Sequence, residues 1–129
     1  MRILTIIASI VLIMHGFIHL MGTTAYLKVA EIKELPYKTT VLDGRWDLGA
    51  NGITVFGALW ALAAVGFIIA AVAVIASWSW WQPVLLGVTL FSLVLTALDW
   101  EVAYAGVIIN IVILAVVWAG PKIANWFQR

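Results

Sequence analysis

The chain has 129 residues, of which 65% are hydrophobic and 10% charged, with a mean hydropathy of +1.13. A soluble domain is about half apolar and about a quarter charged, so too little polar surface is present to cover a water-soluble globule, and an integral membrane protein is expected. A net charge of +1 from 7 basic and 6 acidic residues provides no basic stripe for nucleic acid, and the absence of cysteine excludes disulfides, thiolate chemistry and Cys-ligated metals.

Roughly 20 apolar residues cross about 30 Å of hydrocarbon, and four stretches qualify. The first is 3–21, opened by Arg2. Its charged start followed by "ILTIIASIVLIM" imitates a secretory signal, but the apolar run continues to about Met21, so a retained span is expected. The connection 22–47 holds four of the seven basic and four of the six acidic residues. Within it, 26–35 fits a short interfacial helix ended at Pro36, and "LDGRWD" fits a turn that places Asp47 near the next N-cap. The second span is 48–76, the third is 82–98 with Pro83 in its first turn, and the fourth is 102–119, with Gly120-Pro121 as its stop signal. The expected fold is therefore all-α: one transmembrane domain over 1–129, an up-down four-helix bundle with a long first loop. "WDLGANGITV" (46–55) and "WEVAYAGVII" (100–109) align without gaps, as two parallel hairpin repeats would require. Glycines and alanines of the second span, Gly49, Gly52, Gly57, Ala61 and Ala64, serve close helix packing.

Up-down topology puts both termini on one face, where Trp78, Trp80, Trp81, Trp118 and Trp126 form an aromatic belt with Arg2, Lys122 and Arg129. The other face collects the remaining polar groups. Acids dilute the positive charge of its loop, and the terminal face is taken as cytoplasmic. His15 and His19 differ by about 40° around the helix and lie roughly 6 Å apart along it, so they share a face. Such a pair can chelate a metal but cannot supply both axial ligands of one haem. Without an acid in the motif, further ligands would have to come from Asp47, Asp99 or Glu101, and no cofactor is expected. His19, about 5 Å from Gly22, reads as interfacial, whereas His15, roughly 10 Å from it, should face the bundle interior. Asn110 lies about 13 Å beyond Glu101, at mid-membrane, where its amide must find a partner. Acids in a first helical turn gain from the helix dipole, which accounts for Asp47 and Glu101 without function; Asp99, at a helix C-terminus, gains nothing there.

The motifs "HGFIHLMG", "LPYKTTVLDGRWDLGANG", "SWWQP" and "DWEVAYAGVIIN" resemble those of a group of small four-span prokaryotic membrane proteins without an assigned activity, some of which carry a transporter-permease label. The resemblance covers most of the chain; it implies a prokaryotic cytoplasmic membrane and transfers no mechanism. In architecture the chain also resembles the DoxX-type and EXPERA-type four-helix families. The latter include sterol isomerases and sterol-binding proteins that place acids, His and Trp in a pocket between helices.

The leading expectation is a pocket open to the loop face that binds, and in one version transforms, a small amphipathic or isoprenoid-like molecule. Proton transfer would fall to His15, Asp47, Asp99 and Glu101, while His19, Arg45, Trp46, Asn51, Trp100, Tyr104 and Asn110 would hold the ligand. The alternatives are an accessory subunit of a larger membrane complex and proton or ion translocation by a homo-oligomer. The partners expected are membrane lipid and a hydrophobic small molecule.

Overall fold

The structure, a computed structural model, describes the backbone of residues 2–127 and the side chains of 3–122. The expected positions of Arg2, Trp126 and Arg129 in the belt lie outside the described side chains. Among the described residues the chain forms four helices: α1 (Arg2–Tyr26), α2 (Gly49–Ile75), α3 (Trp81–Leu98) and α4 (Trp100–Phe127). All four are long and apolar enough to cross a membrane. Their outer surfaces are apolar as well: Ile3, Leu4, Met14, Phe17, Val94, Val116 and Trp118 are each more than half exposed. This is the exterior of a protein whose solvent is hydrocarbon.

α2 is the packing spine. Ile53, Phe56, Trp60, Ala63, Phe67 and Ala70 are buried at alternating spacings of three and four, which puts them along one stripe of the helix. α1 and α3 pack on α2, and α4 packs on α3. Small residues set the approach of α1 to α2. A Cβ on Gly22 would sit 2.5 Å from Cδ2 of the Trp60 ring, and one on Gly57 would sit 2.9 Å from Cβ of Tyr26. At the same crossing the Thr23 hydroxyl donates to the carbonyl of Gly57 at 2.9 Å.

α1 runs five residues beyond the expected boundary. Its end is a left-handed residue, Lys28 (φ 56°), with Val29 N–H closing a six-to-one hydrogen bond to the carbonyl of Thr24 at 2.9 Å. α2 ends the same way, with Ser77 at φ 53° and Trp78 N–H bonded to the carbonyl of Ala73. A glycine ordinarily occupies that position. Gly22, just past the end of the apolar run, is a packing residue inside α1. The interfacial helix expected over 26–35 is replaced by turns and a single bridge between Ile32 and Leu35.

A two-residue antiparallel ribbon follows, Thr40–Val41 (β1) with Trp46–Asp47 (β2), turned by Leu42 and Asp43 in left-handed conformations and by Gly44. Val41 is fully buried in the core, and Leu42 N–H binds the carbonyl of Leu98 at 2.8 Å, which fastens the ribbon to the end of α3. Trp46 and Asp47 thus lie in a strand whereas Trp100 and Glu101 open α4, so the aligned decapeptides do not adopt matching structures at their starts.

α4 begins two residues early, is interrupted at Ala103 (φ −119°, ψ 18°), and continues through Pro121 instead of stopping there. Proline's fixed φ is compatible with a helix, and at a helix end near water the hydrogen bond it deletes is readily replaced.

Gly22→Ala should destabilise the protein in detergent by about 1–3 kcal/mol, the usual cost of overpacking. A Cβ on Gly87 meets no atom within 4 Å, so Gly87→Ala should leave the thermal midpoint unchanged or raised. Tm values measured side by side check the pair.

Candidate functional site

Two apolar clusters fill the bundle. One, at the loop end, contains Tyr26, Val41, Ile53, Phe56, Trp60, Ala63 and Leu95; the other contains Leu12, Phe67, Ala70, Ala71, Leu85 and Val117. Between them is a polar layer from three helices: His15 and His19 of α1, Ser92 and Thr96 of α3, and Asn110 of α4. Each is at most 3% exposed.

Partner chemistry orders the hydrogen bonds of this layer. A carbonyl only accepts, so His19 Nδ1–H donates to the backbone oxygen of His15 at 2.8 Å. The neutral ring then leaves Nε2 as the acceptor for the Ser92 hydroxyl at 2.6 Å. Ser92 Oγ and Thr96 Oγ1 accept from Asn110 Nδ2 at 2.8 and 3.2 Å. The amide oxygen of Asn110 accepts from His15 Nε2–H at 3.0 Å. Donation therefore runs in one sense from His15 to Asn110, Ser92 and His19 and back to the backbone of His15. Thr96 completes the set by donating to the carbonyl of Ser92 at 2.9 Å. The rings stack edge to face, with centroids 4.7 Å apart at 82°, and Phe67 and Trp60 of α2 wall them at 4.7 Å (Phe67 to His15) and 5.1 Å (Trp60 to His19).

His19 turns into the bundle. It is 1% exposed, because α1 continues past Gly22 and carries the loop away from it. Asn110 has the interior partners that its depth requires.

The acids lie elsewhere. Asp99 is buried at the junction of α3 and α4, where it accepts from the Tyr26 hydroxyl and pairs with Lys38 Nζ, 2.7 Å from Oδ1. Glu101 is exposed and lies 3.4 Å from the same Lys38. Asp47 is exposed on β2. The backbone N–H of Gly49 and the hydroxyl of Thr39 hold its carboxyl below the usual range. Arg45, Trp46, Asn51, Trp100 and Tyr104 are exposed too. The proton-transfer set expected from His15, Asp47, Asp99 and Glu101 is thus not assembled, and of the expected ligand-holding residues only His19 and Asn110 join His15. Among the described residues no three His, Asp or Glu side chains converge as metal ligands.

Trp60, Ser92, Thr96 and Lys38 complete the picture. The last three carried a sequence signal: Thr89, Ser92 and Thr96 recur at helical spacing on one face of an otherwise apolar span, and Lys38 lies in the only long charged loop. Trp60 had none, since a lone tryptophan in a span reads as packing.

A cavity of about 160 Å³ adjoins the polar layer. His15, His19, Trp60 and Thr96 form its inner wall, and Ala103, Ala105, Gly106 and Ile109 of α4 its opposite side. Ile18, Met21, Ala105 and Glu34, also on its lining, are exposed, so it reaches the outside between α1 and α4. The irregular Ala103 and the small residues after it leave this space. Two buried nitrogens of inner-wall residues have no hydrogen-bond partner among the described residues, Nδ1 of His15 and Nε1 of Trp60. Comparison with family models, curated proteins and solved structures found no match.

Two substitutions probe these groups. Asn110→Ala leaves His15 Nε2–H without its acceptor and should cost about 1–2 kcal/mol, read as a lower Tm in detergent. Lys38→Met strands the buried Asp99 carboxylate and should cost about 3 kcal/mol, with faster proteolysis of residues 27–48; adding Asp99→Asn should restore most of the loss.

Proposed function

We propose that this chain is a membrane-embedded binding protein for a small, largely apolar molecule, taken up from the bilayer between α1 and α4. The cavity beside the His15–His19 layer carries this reading: it is apolar towards α4, polar on its inner wall, and reaches the lipid-facing flank at Ile18 and Met21. Its volume of about 160 Å³ is close to that of an apolar protein cavity known to hold a benzene-sized molecule, ~150 Å³. Ligand sites of this kind combine hydrophobic walls with a few placed polar groups. Binding without chemistry is the better-supported form, because the histidines are already committed to one another, Asn110 and Ser92, and no acid reaches them. The prokaryotic cytoplasmic membrane, with both termini inside, remains part of the proposal on the strength of the resemblance and the charge pattern.

Ala105→Phe fills the cavity from α4 at an exposed position. Wild-type protein purified in mild detergent should release a defined small molecule on extraction and mass spectrometry, and Ala105→Phe should release at least about tenfold less at an unchanged fold by circular dichroism. Equal recovery from both proteins would remove the cavity as the binding site.

A further inference from the structure

The polar layer and its aromatic wall are saturated except at two nitrogens, both on residues that line the cavity. With its single N–H committed to Asn110, neutral His15 has a lone pair at Nδ1 and nothing to accept. Trp60 Nε1–H is a donor only, and it has nothing to donate to. His15 is 3% and Trp60 4% exposed, and both rings form part of the same cavity wall. One acceptor and one donor, both buried, are complementary to a single group that donates and accepts at once. Unpaired buried groups are rare in native proteins and call for a specific explanation.

Resting on the binding reading above, we infer that the molecule taken up is an alcohol, whose hydroxyl enters the cavity, accepts from Trp60 Nε1–H and donates to Nδ1 of His15. Its apolar body extends along Ile18, Met21 and Ile109 towards lipid. A carboxylate or phosphate could accept from Trp60 but not donate to His15, and Glu34 on the lining repels it. An ammonium could donate to His15 but would leave Trp60 unpaired. An ether or ketone likewise satisfies only Trp60. The other polar side chains on the inner wall are already engaged, Thr96 with Ser92 and Asn110 and His19 with Ser92 and the backbone of His15.

The test uses the whole protein in lipid nanodiscs and three probes of nearly equal shape: 4-fluorobenzyl alcohol, its methyl ether and 4-fluorotoluene, followed by fluorine NMR at matched membrane concentrations. The alcohol should bind at least about tenfold more tightly than 4-fluorotoluene, with the ether between them. Trp60→Phe, which keeps an aromatic ring against Gly22, should erase the advantage of the ether over 4-fluorotoluene, read as the ratio of the two affinities within the variant. Equal binding of the three probes to wild type, lost in Ala105→Phe, would overturn the alcohol assignment and leave the pocket standing; water bridging the two nitrogens would give that result. Failure of every probe to bind wild type would overturn the pocket and the alcohol together. The wild-type series decides the question even where Trp60→Phe does not fold.

Discussion

A polar atom inside hydrocarbon must find its partner within the protein, and the interior of this bundle is arranged around meeting that demand. His15, Asn110, Ser92 and His19 satisfy one another in a single directed circuit that includes one backbone carbonyl. Because the members come from α1, α3 and α4, the circuit fixes the rotation of three helices about their axes. Turning any one by a single residue, about 100°, would carry its polar side chains out of the layer. Apolar packing above and below the layer is less particular, since leucine against lipid and leucine against leucine differ little in a membrane. α2 contributes no polar side chain to the circuit. It is held instead by close approach at Gly22 and Gly57 and by the aromatic walls of Phe67 and Trp60.

The same demand organises the loop end. Asp99 is the one residue between α3 and α4, and its side chain is fully buried. A charge in that position needs both a counter-ion and further hydrogen bonds. Lys38 supplies the first from the loop and Tyr26 the second from the last turn of α1. The extra turns of α1 therefore have a consequence: they bring Tyr26 to Asp99. Val41 in the core and Leu42 on the end of α3 then tie the ribbon down, so a segment rich in charge is held as an ordered cap.

Much of this was legible from residue order alone. Four apolar runs of spanning length gave four helices at nearly the expected places, and the interior roles of His15 and Asn110 followed from depth. The first group of misreadings has one physical origin, the assignment of helix ends. Lys28 and Ser77 terminate α1 and α2 in a conformation that glycine usually adopts, so no local signal marked these ends and α1 was ended with its apolar run at Met21. With α1 cut short there, Tyr26 was left in the loop. The acids were misplaced for a different reason. Proximity along a shared face of the membrane does not decide which side chains turn inward, and a two-residue ribbon with positive φ at Leu42 and Asp43 could not be read from "VLDGRWD". For Ser92 and Thr96 the information was present as periodicity; for Trp60 it was not, because its significance comes from the cavity it shares with α4, a helix far away in sequence.

That space is the feature least explained by stability alone. A void beside packed side chains costs dispersion contacts, and each unpaired buried nitrogen costs a further ~1–3 kcal/mol. A larger residue at 105 would remove the first cost, and phenylalanine in place of Trp60 part of the second. The sequence instead combines small residues on α4, an irregular turn at Ala103, and two unpaired polar atoms on residues that line the same space. Each feature alone is a defect. Together they are relieved by one occupant of suitable size carrying one hydroxyl group, and the saturated circuit behind His15 fixes which of its two nitrogens is left to meet it.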